Sequence, residues 1–272
     1  MKISIITINY NNADGMRKTL ASVAAQTYRD IEHIIVDGAS TDDSMDVIRE
    51  YVRQVEDGNC NVKSVTWSSE PDKGIYNAMN KGIQKAKGEY LLFLNSGDFL
   101  IAPDVIETII TECDGADILC ASCNVSNKGT VVWVNNPPKE VTFGTLYFST
   151  LAHQSTFIKQ TLFDTCGLYR EDFKYNSDIA FWFKAIIDNH ATTQKIDVVT
   201  TDYNLDGMSS KENQNEQYKR EMEIILAPYE KFIPDYERAR ARECDNAPLY
   251  WVRRHKWLYK PLERLYRWSV NR

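Results

Sequence analysis

GEYLLFLNSGDFL, residues 88–100, decides the fold. Tyr90 to Leu94 is an unbroken apolar run, as expected of a central strand covered on both faces. It ends at once in Asn95, Ser96 and Asp98. Upstream, Ile3, Ile5, Ile6 and Ile8 form a β-branched strand followed by NYNNADG and a helical pattern of Met16, Leu20, Val23 and Ala24. The unit repeats twice. His33 to Val36 precedes a helix marked by Val47, Ile48, Tyr51, Val52 and Val55, and Val62 to Trp67 precedes one marked by Ile75, Ala78, Met79, Gly82, Ile83 and Ala86. Strands alternating with helices predict parallel β-α-β units and an open α/β sheet. The second half is less regular. Ala116–Ala121, Thr130–Val134, His153–Ile158 and Lys195–Tyr203 read as strands, Lys159–Asp164 as a short helix, and Asp178–Asn189 as a helix with Ser177 at its N-cap.

The chain has 272 residues, 43% hydrophobic and 26% charged, which suits one large domain, or one domain with an appendage. Its net charge of −6 excludes a whole-protein affinity for nucleic acid. From Trp251 to Arg272 seven Lys or Arg stand against one acid, Glu263, so this end carries +6 and the first 250 residues −12. The N-terminal run is too short and too soon broken by Asn9, Asn11 and Asn12 for a signal peptide, and no window has the 18 apolar residues of a membrane span. A cytoplasmic protein with reduced thiols is expected from its six scattered cysteines, with Cys120 and Cys123 as strand packing rather than a zinc or redox pair.

In open α/β sheets ligands bind beyond the carboxyl ends of the strands. Four successive strand exits carry polar or acidic groups: Asn9–Asn12, Asp37, Glu70 with Asp72, and Asn95, Ser96 and Asp98. Neither GxGxxG nor GxxxxGK[ST] is present, so phosphates lack the usual glycine cradle. Acids at the rim can hold phosphates through Mg²⁺ or Mn²⁺, with Asp98 the best-placed ligand.

SIITINYNN, VDGASTDDS, SEPDKGIYNAMNKG and GEYLLFLNSGDFL, in this order and spacing, resemble the family 2 glycosyltransferases of the GT-A fold, particularly bacterial enzymes of surface-polysaccharide assembly. The resemblance covers about residues 1–210. It implies a Rossmann-like open mixed sheet flanked by helices, with a nucleotide-binding half (about 1–100), an acceptor half (about 101–210) and a C-terminal helical extension (211–272). It also implies a nucleoside-diphosphate-sugar donor. Thr7 and Asn9 would then lie against the base, Asp37 at the base or ribose, and Asp72, Lys73, Gly74, Asn95 and Ser96 around the nucleotide sugar. The family's metal motif usually reads DxD or DxDD, and here Asn95-Ser96-Gly97-Asp98 leaves Asp98 as its carboxylate.

Downstream, LAHQSTFIKQTLFDTCGLYREDFKYNSDIAFWFKA resembles the family's acceptor half. Inversion at the anomeric carbon needs one base for the acceptor hydroxyl, and the resemblance implies Asp178, with Glu171 or Asp172 as alternative acceptor ligands or bases. His153 and Gln154 match an HQ pair near the sugar or acceptor, and Asp206-Gly207-Met208-Ser209 a closing loop. The expectation is an inverting, metal-dependent hexosyl- or N-acetylhexosaminyl-transferase. It would use a UDP-linked donor and a saccharide or polyprenyl-diphosphate-linked acceptor. Trp251, Trp257, Tyr259, Tyr266 and Trp268 interleaved with basic residues suit an anionic membrane surface, so residues 251–272 would dock at the inner face of the cell membrane. The alternative is a catalytically inactive sugar-nucleotide-binding or scaffold protein; against a nucleotidyltransferase stands the absence from this chain of the Gly-rich, Arg/Lys-bearing loop which that activity normally has after the first strand.

Overall fold

In the computed structural model, which describes residues 1–204 and 216–237, β1 (Ile3–Asn9) is buried at every residue. It runs parallel to β2 (Ile31–Asp37) on one side and to β4 (Tyr90–Phe93) on the other. That position accounts for its β-branched composition: both faces are covered by helices. β3 (Ser64–Ser69) pairs with β2 at the sheet edge and is accordingly exposed at Ser64, Thr66, Trp67 and Ser69, with Val65 and Ser68 half-buried. Pairing starts at Ser64 rather than Val62. The register sets Asn9, Asp37 and Ser69 side by side at the carboxyl rim.

Helices α1 (Ala13–Ala24), α2 (Ser44–Glu56) and α3 (Ile75–Lys85) connect these strands. The Asn12 side chain caps α1 by accepting the Gly15 N–H. Gly74 begins α3 at φ +131°, in a region that favours glycine. The rest of the chain adds β5 (Phe99–Leu100), α4 (Val105–Glu112), β6 (Ile118–Asn127), β7 (Thr130–Asn135), α5 (Phe143–Phe148), β8 (Thr156–Lys159), α6 (Thr161–Cys166), α7 (Ser177–Trp182), β9 (Thr193–Asn204) and α8 (Glu216–Leu226). One mixed sheet results, in the order β3-β2-β1-β4-β8-β6-β9-β5, with β7 paired to β6. β8 is antiparallel to β4 and β6, which joins the parallel half to the second half.

Three local expectations change. His153–Ser155 is a 3₁₀ turn and only Thr156–Lys159 is strand, because the Ser155 and Thr156 hydroxyls both donate to the Ala152 carbonyl and close the chain there. Asn176, not Ser177, occupies the N-cap of α7, and its side chain donates to the Tyr218 carbonyl instead of capping. α7 also changes to a π-helix over Phe183–Asp188, where Asn189 bonds the Lys184 carbonyl through backbone and side chain. Cys120 and Cys123 are free and buried in β6, where burial pushes their thiols up to about 12 and about 11. No helix among the described residues is long and apolar enough to cross a membrane.

The chain divides into two units, Met1–Met222 and Glu223–Arg272. The first runs past residue 210. Of the second, the structure describes the end of α8, a 3₁₀ turn at Ala227–Tyr229 and the residues to 237. The loop Asp206–Ser209 and the segment 251–272 lie outside the described residues.

Candidate active site

Two groups of polar side chains form at the strand ends. The first gathers around Asp37. Its Oδ1 accepts from Asn9 Nδ2 (2.8 Å) and Ser40 Oγ (2.6 Å), and its Oδ2 from Ser40 N (2.9 Å) and Ser69 Oγ (2.7 Å). Burial raises its pKa, yet these hydrogen bonds outweigh it and hold the carboxyl below its usual range. Asp37 thus fastens the exits of β1, β2 and β3 together. Asn9 keeps a buried Oδ1 without a hydrogen-bond partner among the described residues. Asp72 reaches the same rim: a Cβ on Gly38 would stand 3.1 Å from Asp72 Oδ2 and 3.2 Å from the Tyr10 ring. Lys81 on α3 holds Asp72 at 2.6 Å and Glu70 at 3.1 Å. Lys73 and Gly74 are exposed where α3 begins, and Asn77 Oδ1 accepts the Lys73 N–H at 3.2 Å.

Thr7 is not at this rim. Its side chain is fully buried and hydrogen-bonded to His33 Nε2 at 2.9 Å, while His33 Nδ1 meets the Tyr51 hydroxyl at 2.7 Å. Burial pushes His33 down to about 3, so it stays neutral. Thr7 and Asn9 share one face of β1, but Thr7 lies two residues inside the strand and Asn9 at its end.

The second group surrounds Asp98 and Asp178. Asn12 Nδ2 donates to the Ser96 carbonyl (3.0 Å) and hydroxyl (3.3 Å), which ties the turn after β4 to the start of α1. Asp98 is 6% exposed. Burial pushes its pKa up to about 7; His153 and hydrogen bonds from Gln154 and the Asn204 backbone oppose this, and Asp202 adds to it. No cationic side chain pairs with Asp98 among the described residues. Beside it, Asn95 has a buried Oδ1 without a partner among the described residues, and the Asp98 N–H closes the turn onto the Asn95 carbonyl at 3.0 Å.

Asn95 Nδ2 lies 3.3 Å from His153 Nε2, and His153 Nδ1 lies 3.2 Å from Asp178 Oδ2, so the imidazole bridges the amide and the carboxylate. Asp178 Oδ1 accepts from the Tyr76 hydroxyl (3.1 Å) and the Ile179 N–H (2.9 Å). A continuous chain therefore links the turn after β4 to the first turn of α7. Glu171 stands apart. Its oxygens accept from Asn77 (2.9 Å) and Asn80 (3.0 Å) of α3, and those hydrogen bonds, Asn80's foremost, hold its carboxyl below the usual range. Asp172 is gripped by Arg170 at the surface.

The donor set fits a hard divalent cation in a limited way. Asp98 and Asn95 supply oxygen ligands of the kind Mg²⁺ and Mn²⁺ take, and a cation would relieve both the buried carboxyl and the unpartnered amide oxygen. Among the described residues no group of three or more His, Cys, Asp or Glu is arranged for a metal. The protein would thus contribute few ligands and a bound molecule the others.

The sequence profile of "Glycosyl transferase family 2" matches residues 4–175, a span that takes in Asn9, Asp37, Asp72, Asp98 and His153. The chain belongs to glycosyltransferase family 2. Among relatives of this glycosyltransferase, an uncharacterised glycosyltransferase of Mycobacterium tuberculosis is 33% identical over 190 residues, 68% of this chain and 69% of that one. The PGL/p-HBAD biosynthesis glycosyltransferase of Mycobacterium bovis is 27% identical over 74% of this chain and 76% of its own. The fold is similar to that of S. aureus TarS residues 1–349, solved with UDP-GlcNAc: TM-score 0.65 and 22% identity, covering 84% of this chain and 66% of that one. It is also similar to the mannosyltransferase PcManGT of Pyrobaculum calidifontis, solved with GDP-Man and Mn²⁺: TM-score 0.60 and 15% identity, over 85% and 64% of the two chains. These likenesses show a GT-A fold, as the four motifs implied.

Four residues of this glycosyltransferase escaped the reading of its sequence. Tyr10, 70% exposed at the exit of β1, was visible as an aromatic just past a strand. Tyr76 and Lys81 lie within a quoted motif, but nothing local says that a helix residue reaches Asp178 or clasps Asp72. Asp202 carries no motif. It approaches Asp98 because β9 pairs with β5, setting Asp202 opposite Phe99.

Proposed function

We propose that this chain is an inverting glycosyltransferase moving a hexosyl or N-acetylhexosaminyl group from a UDP-linked donor to a saccharide or polyprenyl-diphosphate-linked acceptor in bacterial surface-polysaccharide assembly. The observation that carries the reading is the hydrogen-bonded path from the Asn95–Asp98 turn through His153 to Asp178. It joins a cation-fitting turn, where a diphosphate would lie, to a carboxylate poised as base. The UDP-GlcNAc held by TarS and the biosynthetic role named for the mycobacterial relative support it.

In this reading Asn9 and the exposed Tyr10 receive the base, and Asp37 acts by fixing their loop. Asp72 and Lys73 flank the sugar nucleotide, and the first N–H groups of α3 face its anionic part. A Mg²⁺ or Mn²⁺ ion at Asp98 and Asn95, when bound, supplies the positive charge that makes the nucleoside diphosphate a leaving group. Asp178 has three of its roughly four acceptor positions filled by His153, Tyr76 and Ile179, which leaves one for the acceptor hydroxyl. As that oxygen attacks the anomeric carbon opposite the departing diphosphate, Asp178 takes its proton. The sugar–phosphate bond breaks and one glycosidic bond forms, with inverted configuration.

Hydrolysis of UDP-Glc, UDP-Gal, UDP-GlcNAc and GDP-Man with and without Mn²⁺ tests the reading. Mn²⁺-dependent release of UDP from one of the UDP sugars is expected. Binding without release from any of them would favour the inactive sugar-nucleotide-binding protein. Tyr10→Ala should weaken UDP binding by about fivefold or more, fivefold being the lower end of what stacking a base on an aromatic ring contributes, while melting unchanged; unaltered affinity would place the base elsewhere.

The reading also sets residues 251–272 on an anionic membrane surface, beside a lipid-linked acceptor. The full chain should sediment with anionic liposomes, less so as salt rises, and a chain ending at Leu249 should not. Equal sedimentation of the two chains, or none of either, rejects this docking.

A further inference from the structure

Helix α8 lies beyond the family-matched segment, yet its first half is built into the turn that carries Asp178. Glu221 is 3% exposed. Its Oε1 accepts the Lys174 N–H at 2.7 Å, and its Oε2 accepts the Tyr175 and Asn176 N–H groups at 3.0 Å each. Three successive backbone donors converging on one site form an anion-binding nest, and here the chain's own carboxylate fills it with charge-assisted hydrogen bonds. Gln217, one turn earlier on α8, donates to Glu221 Oε1 at 3.2 Å. Asn176 makes a second tie, from Nδ2 to the Tyr218 carbonyl at 3.0 Å.

The clamped turn leads directly to the proposed base. Asn176 is the N-cap of α7 and accepts the Ala180 N–H at 2.9 Å. The Tyr76 hydroxyl shares its one proton between the Tyr175 carbonyl at 2.7 Å and Asp178 Oδ1 at 3.1 Å. A shift of residues 174–176 would therefore move the helix bearing Asp178 and the anchor of one of its partners together. Tyr218 also faces this region: burial, and then the charge of Asp178, raise its phenol.

We propose that Glu221 is a positioning residue for Asp178, so that the first half of α8, up to Glu221, forms part of the active site. Its buried carboxylate holds the 174–176 turn, and the turn sets the Asp178 carboxylate against His153 and Tyr76. This inference rests on the reading of Asp178 as the base. Glu221→Gln keeps the shape but replaces one accepting oxygen with an NH₂ group that opposes the N–H groups of the turn.

The probe is the nucleotide sugar that the wild-type chain hydrolyses fastest with Mn²⁺, water serving as acceptor. In Glu221→Gln, kcat should fall about tenfold or more, with the donor KM and the UDP-induced thermal shift unchanged. A wild-type kcat, or a loss confined to KM, overturns the inference. Should Glu221→Gln fail to fold, Glu221→Asp decides, since it keeps the charge but draws the carboxylate back from the turn by one methylene: lowered kcat at unchanged KM supports a working α8, and wild-type kinetics reject it. Asp178→Asn measured alongside separates the two levels. If it loses turnover and Glu221→Gln does not, only the role of α8 fails; if Asp178→Asn hydrolyses at the wild-type rate, the reading of the base fails, and this inference with it.

Discussion

Asp178→Asn should bind UDP and Mn²⁺ as the wild type does and turn over about 10²- to 10⁴-fold more slowly, the usual contribution of a general base. The substitution keeps the volume of a side chain that is 14% exposed and removes only the basic oxygen pair. An amide can still accept one hydrogen bond, from His153 Nδ1 or from Tyr76, but it cannot take the acceptor's proton. UDP release from the donor measures turnover, and a nucleotide-induced thermal shift measures binding. Losses of equal size in both would make Asp178 a structural residue at the start of α7, where an acid is favoured by the helix dipole in any case.

Asp98→Asn should have a comparable effect by another route, with a sign that identifies it. The Asp98 carboxyl titrates at about 7 in the fold, against 3.8 for the ordinary group, chiefly because it is buried. The folded chain therefore holds a proton that the unfolded chain has already lost between pH 4 and 7. This group's contribution to stability accordingly falls as pH rises through that window and stays lost above it. Without metal at pH 8, Asp98→Asn should melt at a higher temperature than the wild type, since a neutral amide escapes the desolvation cost. The same variant should lose Mn²⁺-dependent nucleotide binding and hydrolysis. In the wild type, Mn²⁺ affinity should climb as pH passes 7 and the proton leaves. Full Mn²⁺ dependence in Asp98→Asn would move the cation elsewhere, and an unchanged melting temperature at pH 8 would mean that Asp98 is not held under strain.

Both expectations start from residues found in the sequence, but their geometry comes from the fold. Ile3 to Ile8 and Tyr90 to Leu94 announce central strands, since burial on both faces demands apolar side chains at every position, and periodicity shows this without knowledge of partners. Asp37, Asp72, Asp98 and Asp178 could likewise be singled out, because strand exits and helix starts are marked locally by the change from apolar to polar residues. Position alone could not say which of them faces a ligand. Asp37 proves saturated by Asn9, Ser40 and Ser69, and Thr7 is committed to His33.

Tertiary structure alone decided the long-range pairs. Tyr76 meets Asp178 across 102 positions of sequence and Asn95 meets His153 across 58. Glu221 reaches Asn176 across 45. Asp202 comes near Asp98 only because β5 pairs with β9. Periodicity reports the environment of each residue along its own strand or helix, a local property set by burial. A hydrogen bond between distant segments depends on the order and register in which the strands assemble, and those follow from the packing of the whole sheet.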